Sequence, residues 1–302
     1  MDRLRTLSIF CAVAEDAGFA AAARRLNLSP PTVTRAISTL ENRLGARLVH
    51  RTTRAVSLTD AGQRYYADSK RILAELEDAD RQAAGLHAAP RGEVSITASV
   101  LFGRKIVAPA LFEMLDLYPD ISVTTMFVDR VVNMVDEGLD IAVRIAELPD
   151  SSLTAVKVGA VRQLLCAAPE YLDKHGRPEH PDQLPDHDIL LFTGSSLAVD
   201  WSLERDGKKF AVPVSSRLRT NTGDVTIAGA IAGRGIARVL SYQVADELAN
   251  GRLEIVLANY IPPPVPVHVL HRETGRVSAR IRAVVDHLVS RLRATEILRQ
   301  AG

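Results

Sequence analysis

The chain has 302 residues, more than one domain usually needs, and its 47% hydrophobic and 24% charged content is that of an ordinary globular protein. Cys11 and Cys166 are its two cysteines, which excludes a disulfide framework or a cysteine-built zinc site. The net charge of +1 hides an asymmetry, because residues 1–66 hold ten arginines, no lysine and five acids. A small arginine-only basic segment joined to a mildly acidic remainder suggests a polyanion-binding module fused to something else.

The opening residues imitate a signal peptide, with Arg3 and Arg5 ahead of an apolar run. Ser8 interrupts that run, and Glu15 and Asp16 stand where cleavage would require small residues. No apolar stretch approaches the length of a membrane span, so a cytoplasmic protein without membrane contact is expected. Leu4, Leu7, Phe10, Cys11 and Ala14 recur at intervals of three and four, which predicts a first helix ended by Gly18. The stretch FAAAARRLNL predicts a short second helix over about 19–26, with Asn27 and Leu28 as the turn. Val33, Ile37, Leu40 and Leu44 then repeat at helical spacing ahead of Gly45, a C-terminal stop. Three short helices with a tight turn between the last two form a helix-turn-helix.

Pro30 and Pro31 fit the start of the third helix, where N–H groups have no intrahelical partner and a fixed φ is already suitable. Ser29 is the candidate N-cap. Either Pro30 opens the helix, or it stands just outside and Pro31 does. With the apolar residues inward, Thr32, Thr34, Arg35 and Ser38 lie on or near the opposite face, as donors and methyls suited to base edges and phosphates. Arg47, Arg51 and Arg54 flank a short extended segment, Ala55 to Leu58, that can form a wing beside the phosphate backbone.

The run FAAAARRLNLSPPTVTRAISTLENRLGARLVHRTTRAVSLTDAG resembles the winged helix-turn-helix of the LysR-type transcriptional regulators, from its Ala-Ala-Arg-Arg-Leu through Ile-x-x-Leu-Glu to Ser-Leu-Thr-x-Ala-Gly. Pro30 and Pro31 replace a glutamine and a small residue common in the family, and Thr34 replaces a serine. The resemblance implies DNA contacts by Ser29, Pro31, Thr32, Thr34, Arg35 and Ser38, with Arg51 and Arg54 in the wing. From Thr59 or Asp60 a long helix is predicted to about His87. Tyr65, Ser69, Ile72, Leu76, Ala79, Ala83 and Leu86 form a heptad seam along it. Such a seam serves either packing on its own chain or dimerisation, and the family uses this helix to dimerise. Two recognition helices must meet successive major grooves about 34 Å apart, which gives dimerisation a purpose.

Pro90 and Gly92 mark a boundary. Beyond it, alternation over Val94–Ser99, a helix over about 103–118, the strand ISVTTMFV, a helix over VVNMVDEG and the strand LDIAVRI predict βαβαβ with a parallel sheet. A second unit starts near Val161 and includes HDILLF and the hairpin signal Asp206-Gly207. After a proline cluster come a last strand, VPVHVLH, and a final helix over about 278–298. This layout resembles the family's effector domain, two lobes joined by crossover strands like a periplasmic solute-binding protein. Its ligand is expected between the lobes, at strand C-terminal ends. Ser99, Val100 and Phe102 form one expected wall, and Val128, Phe192, Thr193, Asn221, Thr222 and Gly223 the others. Arg144 either faces the cleft or pairs with Asp140 or Glu147. Arg238 lies where relatives usually carry an apolar residue, and is either a contact for an acidic effector or a surface arginine.

Enzyme motifs are thin. GRGIAR at Gly233 follows a helix and lacks the third small residue of a dinucleotide fingerprint, and neither His-Glu-x-x-His nor Gly-x-Ser-x-Gly occurs. His175, His180 and His187 lie in a Pro- and Asp-rich stretch that reads as a loop rather than a metal site. A pure solute-binding module would leave the arginine-rich N-terminus unexplained. The expected fold is α plus α/β: a winged helix-turn-helix over 1–59, a linker and dimerisation helix over 60–89, and a two-lobed effector-binding domain over 90–302. Lobe I is expected at about 92–161 and 266–302, and lobe II at about 162–265. The expected function is effector-modulated, sequence-specific transcriptional regulation. The expected partners are double-stranded DNA, a small-molecule effector and further copies of the chain, as a homodimer through the linker helix and a homotetramer, with no cofactor or metal.

Overall fold

The computed structural model describes residues 2–51, 56–83, 89–148, 153–194, 200–272 and 277–299. It divides into one unit of Met1–Gly92 with Asn133–Leu139, and a second of Glu93–Val132 with Asp140–Gly302. Among the described residues no helix is long and apolar enough to cross a membrane.

In the first unit, local capping sets the helix ends. Asp2 accepts from the Leu4 N–H at the start of α1 (Arg3–Glu15), and α2 (Phe19–Arg25) follows Gly18. Helix α3 (Pro30–Leu44) starts at Ser29, whose hydroxyl accepts from the Thr32 N–H. Both prolines are therefore inside it, in the two positions whose N–H groups have nothing to bond. Gly45 ends it in the left-handed region at φ +65°. Phe10, Ala22, Val33, Ile37, Leu40 and Leu48 pack into one core. Strands β1 (Val49–Arg51) and β2 (Val56–Leu58) pair antiparallel as a wing. Helix α4 (Asp60–Ala83) follows; the heptad position Leu86 and the wing residues Arg54 and Ala55 lie outside the described residues.

The predicted helix over VVNMVDEG is absent, and the chain turns there. Asn133 Oδ1 accepts from the Val135 N–H at 2.9 Å, a local side-chain bond that competes with helix formation, and Gly138 stands at φ +65°.

The second unit holds two five-stranded sheets. The first has order β4-β3-β5-β14-β6, built from β3 (Gly92–Ala98), β4 (Ile121–Phe127), β5 (Ile141–Ile145), β6 (Leu153–Val161) and β14 (Val265–Arg272). The second has order β11-β8-β12-β7-β13, from β7 (Gln163–Ala167), β8 (Ile189–Phe192), β11 (Leu218–Thr220), β12 (Ile236–Leu240) and β13 (Glu254–Val256). Both are mixed rather than wholly parallel. β3 and β5 run parallel, as do β8, β11 and β12, but β7 and β14 arrive by crossing from the other sheet and pair antiparallel. Between β3 and β4 the chain forms α5 (Val100–Phe102), a π-helical segment at Gly103–Val107, and α6 (Ala108–Leu117).

Helix α7 (Pro169–His175), the hairpin β9 (Asp200–Arg205) and β10 (Lys208–Pro213), α8 (Gly223–Ile231) and α9 (Ala245–Ala249) complete the second sheet's surroundings. Asp206 and Gly207 turn the hairpin with φ values of 52° and 76°, the two positive angles a type I′ turn requires. The predicted final helix divides into α10 (Ala279–Ala294) and α11 (Glu296–Arg299). At the break, the Thr295 hydroxyl donates to the Arg291 carbonyl, and Leu298 beyond it is fully buried. A Cβ on Gly159 would come within 2.7 Å of the Leu298 Cβ, so this packing needs a glycine below it.

Candidate functional site

Helix α3 has two chemically distinct faces. Val33, Ala36, Ile37 and Leu40 are buried, while Thr34 and Arg35 are exposed, and Thr32 and Ser38 half-buried beside them. Ser29 and Pro31 are exposed at its start, where the Ser29 and Thr32 hydroxyls share a 2.7 Å hydrogen bond. Six of the eight proposed DNA contacts therefore lie along the first two and a half turns of one helix. The Arg51 backbone is in β1; its side chain, and all of Arg54, lie outside the described residues.

Glu41 connects this helix to the wing. Its Oε1 accepts from the N–H groups of Leu48 at 2.9 Å and Val49 at 3.2 Å. The Thr59 hydroxyl donates to the Arg47 carbonyl and accepts from the Gly62 N–H, closing the other end of the wing on the start of α4. The sequence names Thr59 with Asp60 as a candidate cap for this helix, whereas nothing in it gives Glu41 a role. Glu15 ties α1 to two further helices, with Arg25 at 2.9 Å, the Tyr66 hydroxyl at 3.0 Å and Lys70 at 3.6 Å. Burial works to raise its carboxyl pKa, and the bonds from Arg25 and Tyr66 with the nearby cations outweigh it, leaving the pKa below its ordinary value.

Along α4 the heptad seam changes character. Tyr65 is half-buried with its ring 5.6 Å from that of Phe10, and Ser69 is buried and bonded to the Tyr65 carbonyl. Ile72 and Leu76 are 40% and 38% exposed, so at these two positions the seam leaves apolar side chains to water in a single chain.

The second unit encloses a cavity of about 550 Å³, in the size range of small-molecule sites. Of the residues proposed from sequence, Ser99, Val128, Phe192 and Gly223 line it. Val100, Phe102, Thr193, Asn221 and Thr222 do not. Phe102 is fully buried, edge-on to Tyr242 at 5.1 Å. The Val100 N–H donates to Asp129 Oδ1, and both Thr193 donors reach the Thr220 carbonyl. Asn221 and Thr222 are exposed at the start of α8. Ser99 follows β3 and Phe192 ends β8, so the cavity meets C-terminal ends of parallel strands, where ligands sit in such sheets.

Arg144 and Arg238, each left between two readings by sequence, both line the cavity, one from β5 and the other from β12. Trp201, buried in the same lining, was not foreseen. The Arg238 guanidinium lies over its ring at 5.5 Å from the centroid, a contact worth about 0.5–2 kcal/mol depending on desolvation. Burial lowers the Arg238 pKa from its ordinary value. Tyr242, also lining the cavity, has its phenol pushed up to about 12, chiefly by burial, so it stays protonated as a donor. Asp129 is raised by burial, against the hydrogen bond from Val100 and with the charge of Asp224. Arg104, in the π segment, pairs with Asp224 of α8 at 3.0 Å. That pair is well exposed and therefore worth little. Among the described residues no cluster of three metal-ligating side chains occurs.

Residues 4–63 match the family model of bacterial regulatory helix-turn-helix proteins of the lysR family, and residues 87–293 match that of the LysR substrate binding domain. The transcriptional activator AaeR of Escherichia coli is 33% identical over 291 residues, which cover 95% of this chain and 93% of AaeR. The solved structure of CrgA, a LysR-type transcriptional regulator from Neisseria meningitidis, is 29% identical and superposes with a TM-score of 0.61 over 97% of this chain and 99% of that one. Full-length AphB of Vibrio cholerae gives 25% identity and a TM-score of 0.62 over 96% and 99%. A helix-turn-helix that presents a polar helix face, followed in one chain by a two-sheet unit with a ligand-sized cavity, places this protein in the family of LysR-type transcriptional regulators.

Proposed function

We propose that this regulator reads its operator with Ser29, Pro31, Thr32, Thr34, Arg35 and Ser38, with Arg51 and Arg54 of the wing on phosphates. The observation that carries this is the exposed Thr34 and Arg35 on a helix whose opposite face is core. Arginine forks onto guanine edges, and threonine offers both a hydroxyl and a methyl. The working division is a DNA-binding domain over 1–59, a linker over 60–89 and an effector domain over 90–302, with lobe I over 92–161 and 266–302 and lobe II over 162–265. It acts in the cytoplasm, where its DNA is, as a binding protein that turns over no substrate.

Pairing of α4 through Ile72 and Leu76 makes the homodimer, and pairs of dimers make a tetramer. The effector occupies the cavity at Ser99, Val128, Phe192 and Gly223, with Val100, Phe102, Thr193, Asn221 and Thr222 supporting its walls. Effector binding favours one arrangement of the lobes, and the paired linkers pass the change to the recognition helices. This requires different effector affinity in the two arrangements.

Fluorescence anisotropy with the gene's own upstream DNA and with random DNA tests the reading. Specific binding should exceed random binding and weaken steeply between 50 and 200 mM salt, as counterion release dictates for several phosphate contacts, by roughly a thousandfold or more. Arg35→Ala should lower discrimination by about 1–3 kcal/mol while changing random-DNA affinity less. Equal affinity for both DNAs would overturn it.

A further inference from the structure

The cavity holds a cation that the chain's own described residues do not answer. Arg238 lies on β12, the central strand of its sheet, paired with β7 on one side and β8 on the other. Arg238 is half-buried with its guanidinium 5.5 Å from the centroid of the Trp201 ring, and among the described residues no carboxylate forms an ion pair with it. The ring contact engages the charge without using an N–H, and among the described residues no acceptor takes a hydrogen bond from the guanidinium, so its donors can meet a partner. A charge removed from water without a partner is costly, and that cost is recovered only when an anion arrives.

The rest of the wall defines what that anion is attached to. Leu101, Val128, Ile145, Phe192, Val239 and Val265 make much of the lining apolar. Three arginines, Arg130, Arg144 and Arg238, face two acids, Asp129 and Glu147, so the lining's balance is positive. The Asp129 carboxylate is already engaged by the Val100 N–H at 3.0 Å. Three guanidiniums against two carboxylates leave the lining one positive charge in excess, which matches a singly charged carboxylate; a phosphate would bring a second charge that the apolar wall would have to bury.

We propose that Arg238, seated on Trp201, is the anion anchor of this cavity, and that the effector is a small monocarboxylic acid with an apolar body. The proposal rests on reading the cavity as the effector site.

The full chain is titrated calorimetrically with benzoate, phenylacetate and hexanoate, and with benzamide, phenylacetamide and hexanamide. Trp201, the chain's only tryptophan, reports the same binding by its fluorescence. At least one acid should bind about tenfold or more tightly than its amide. Arg238→Met should remove that preference by weakening the acids far more than the amides, while Arg238→Lys, keeping the charge but not the fork, should restore part of it. If Arg238→Met does not fold by circular dichroism, Arg238→Lys serves alone, expected to weaken the acid by about threefold or more. Equal binding of acids and amides, no binding by any acid, or an acid affinity indifferent to the folded variants overturns the proposal. Operator binding measured on the same samples separates the two readings. Operator preference retained without acid preference sinks the anion anchor alone, whereas acid preference without operator preference sinks the regulator reading.

Discussion

Gly62 shows how one missing methyl group holds a junction. A Cβ there would overlap the Leu48 carbonyl oxygen and stand 2.9 Å from its carbon, so Gly62→Ala must push α4 away from the wing. We expect a loss of about 2–4 kcal/mol in the first unit, read as a lower unfolding midpoint, together with weaker operator binding. Glu15 makes a pH prediction. Its folded pKa lies below the ordinary value of 4.5, so its contribution is complete above that value and disappears as pH falls through the lower folded one. Glu15→Gln should therefore lower stability at neutral pH and flatten the acid limb of the stability curve below about pH 4.5. Burial pushes both thiols, Cys11 and Cys166, up to about 12. Neither should react with a disulfide reagent at pH 8 in the folded chain, and both should react in denaturant; rapid modification of the native protein would contradict this.

At the scale of elements, α4 separates folding from assembly. Ile72 and Leu76 keep 40% and 38% of their surface exposed in the single chain, and burying that remainder against a second copy is worth about 1 kcal/mol for each. Ile72→Asp with Leu76→Asp should convert the dimer to monomer in analytical ultracentrifugation, with the helical circular dichroism retained. A dimer that survives the double substitution would show that its interface lies elsewhere. Elements governed by neighbours in sequence were legible from it. The Ser29 cap, the proline pair and Gly45 define α3 because caps act within a turn. The Asp206-Gly207 hairpin was readable for the same reason.

What escaped the sequence depends on distant partners. The helix expected at VVNMVDEG has the right spacing but is pre-empted by Asn133, and the break at Thr295 exists to seat Leu298 over Gly159. Nothing near Arg238 in sequence announces Trp201, which comes from a hairpin thirty-seven positions earlier. The five cavity positions that fall outside the lining were chosen from strand ends, and strand ends specify a neighbourhood without specifying which side chains turn into it.

For the whole molecule, binding and stability are linked. An effector present at 100 times its Kd should add about 2.7 kcal/mol to the unit that holds the cavity. In calorimetry this should raise the unfolding transition of the second unit in the isolated protein, while a short operator fragment should raise that of the first. Effector that raised both equally would mean that the two units unfold as one.

The position of β14 also orders events during synthesis. Every element from α1 to α4 is complete by Ala83, whereas the first sheet lacks the strand between β5 and β6 until residues 265–272 have emerged. The nascent chain thus acquires its DNA-reading module while the first sheet of the second unit is still open, as N-terminal domains commonly fold first. A messenger truncated before codon 265 would yield a fragment able to occupy operators and deaf to the effector, a dominant competitor of the intact regulator.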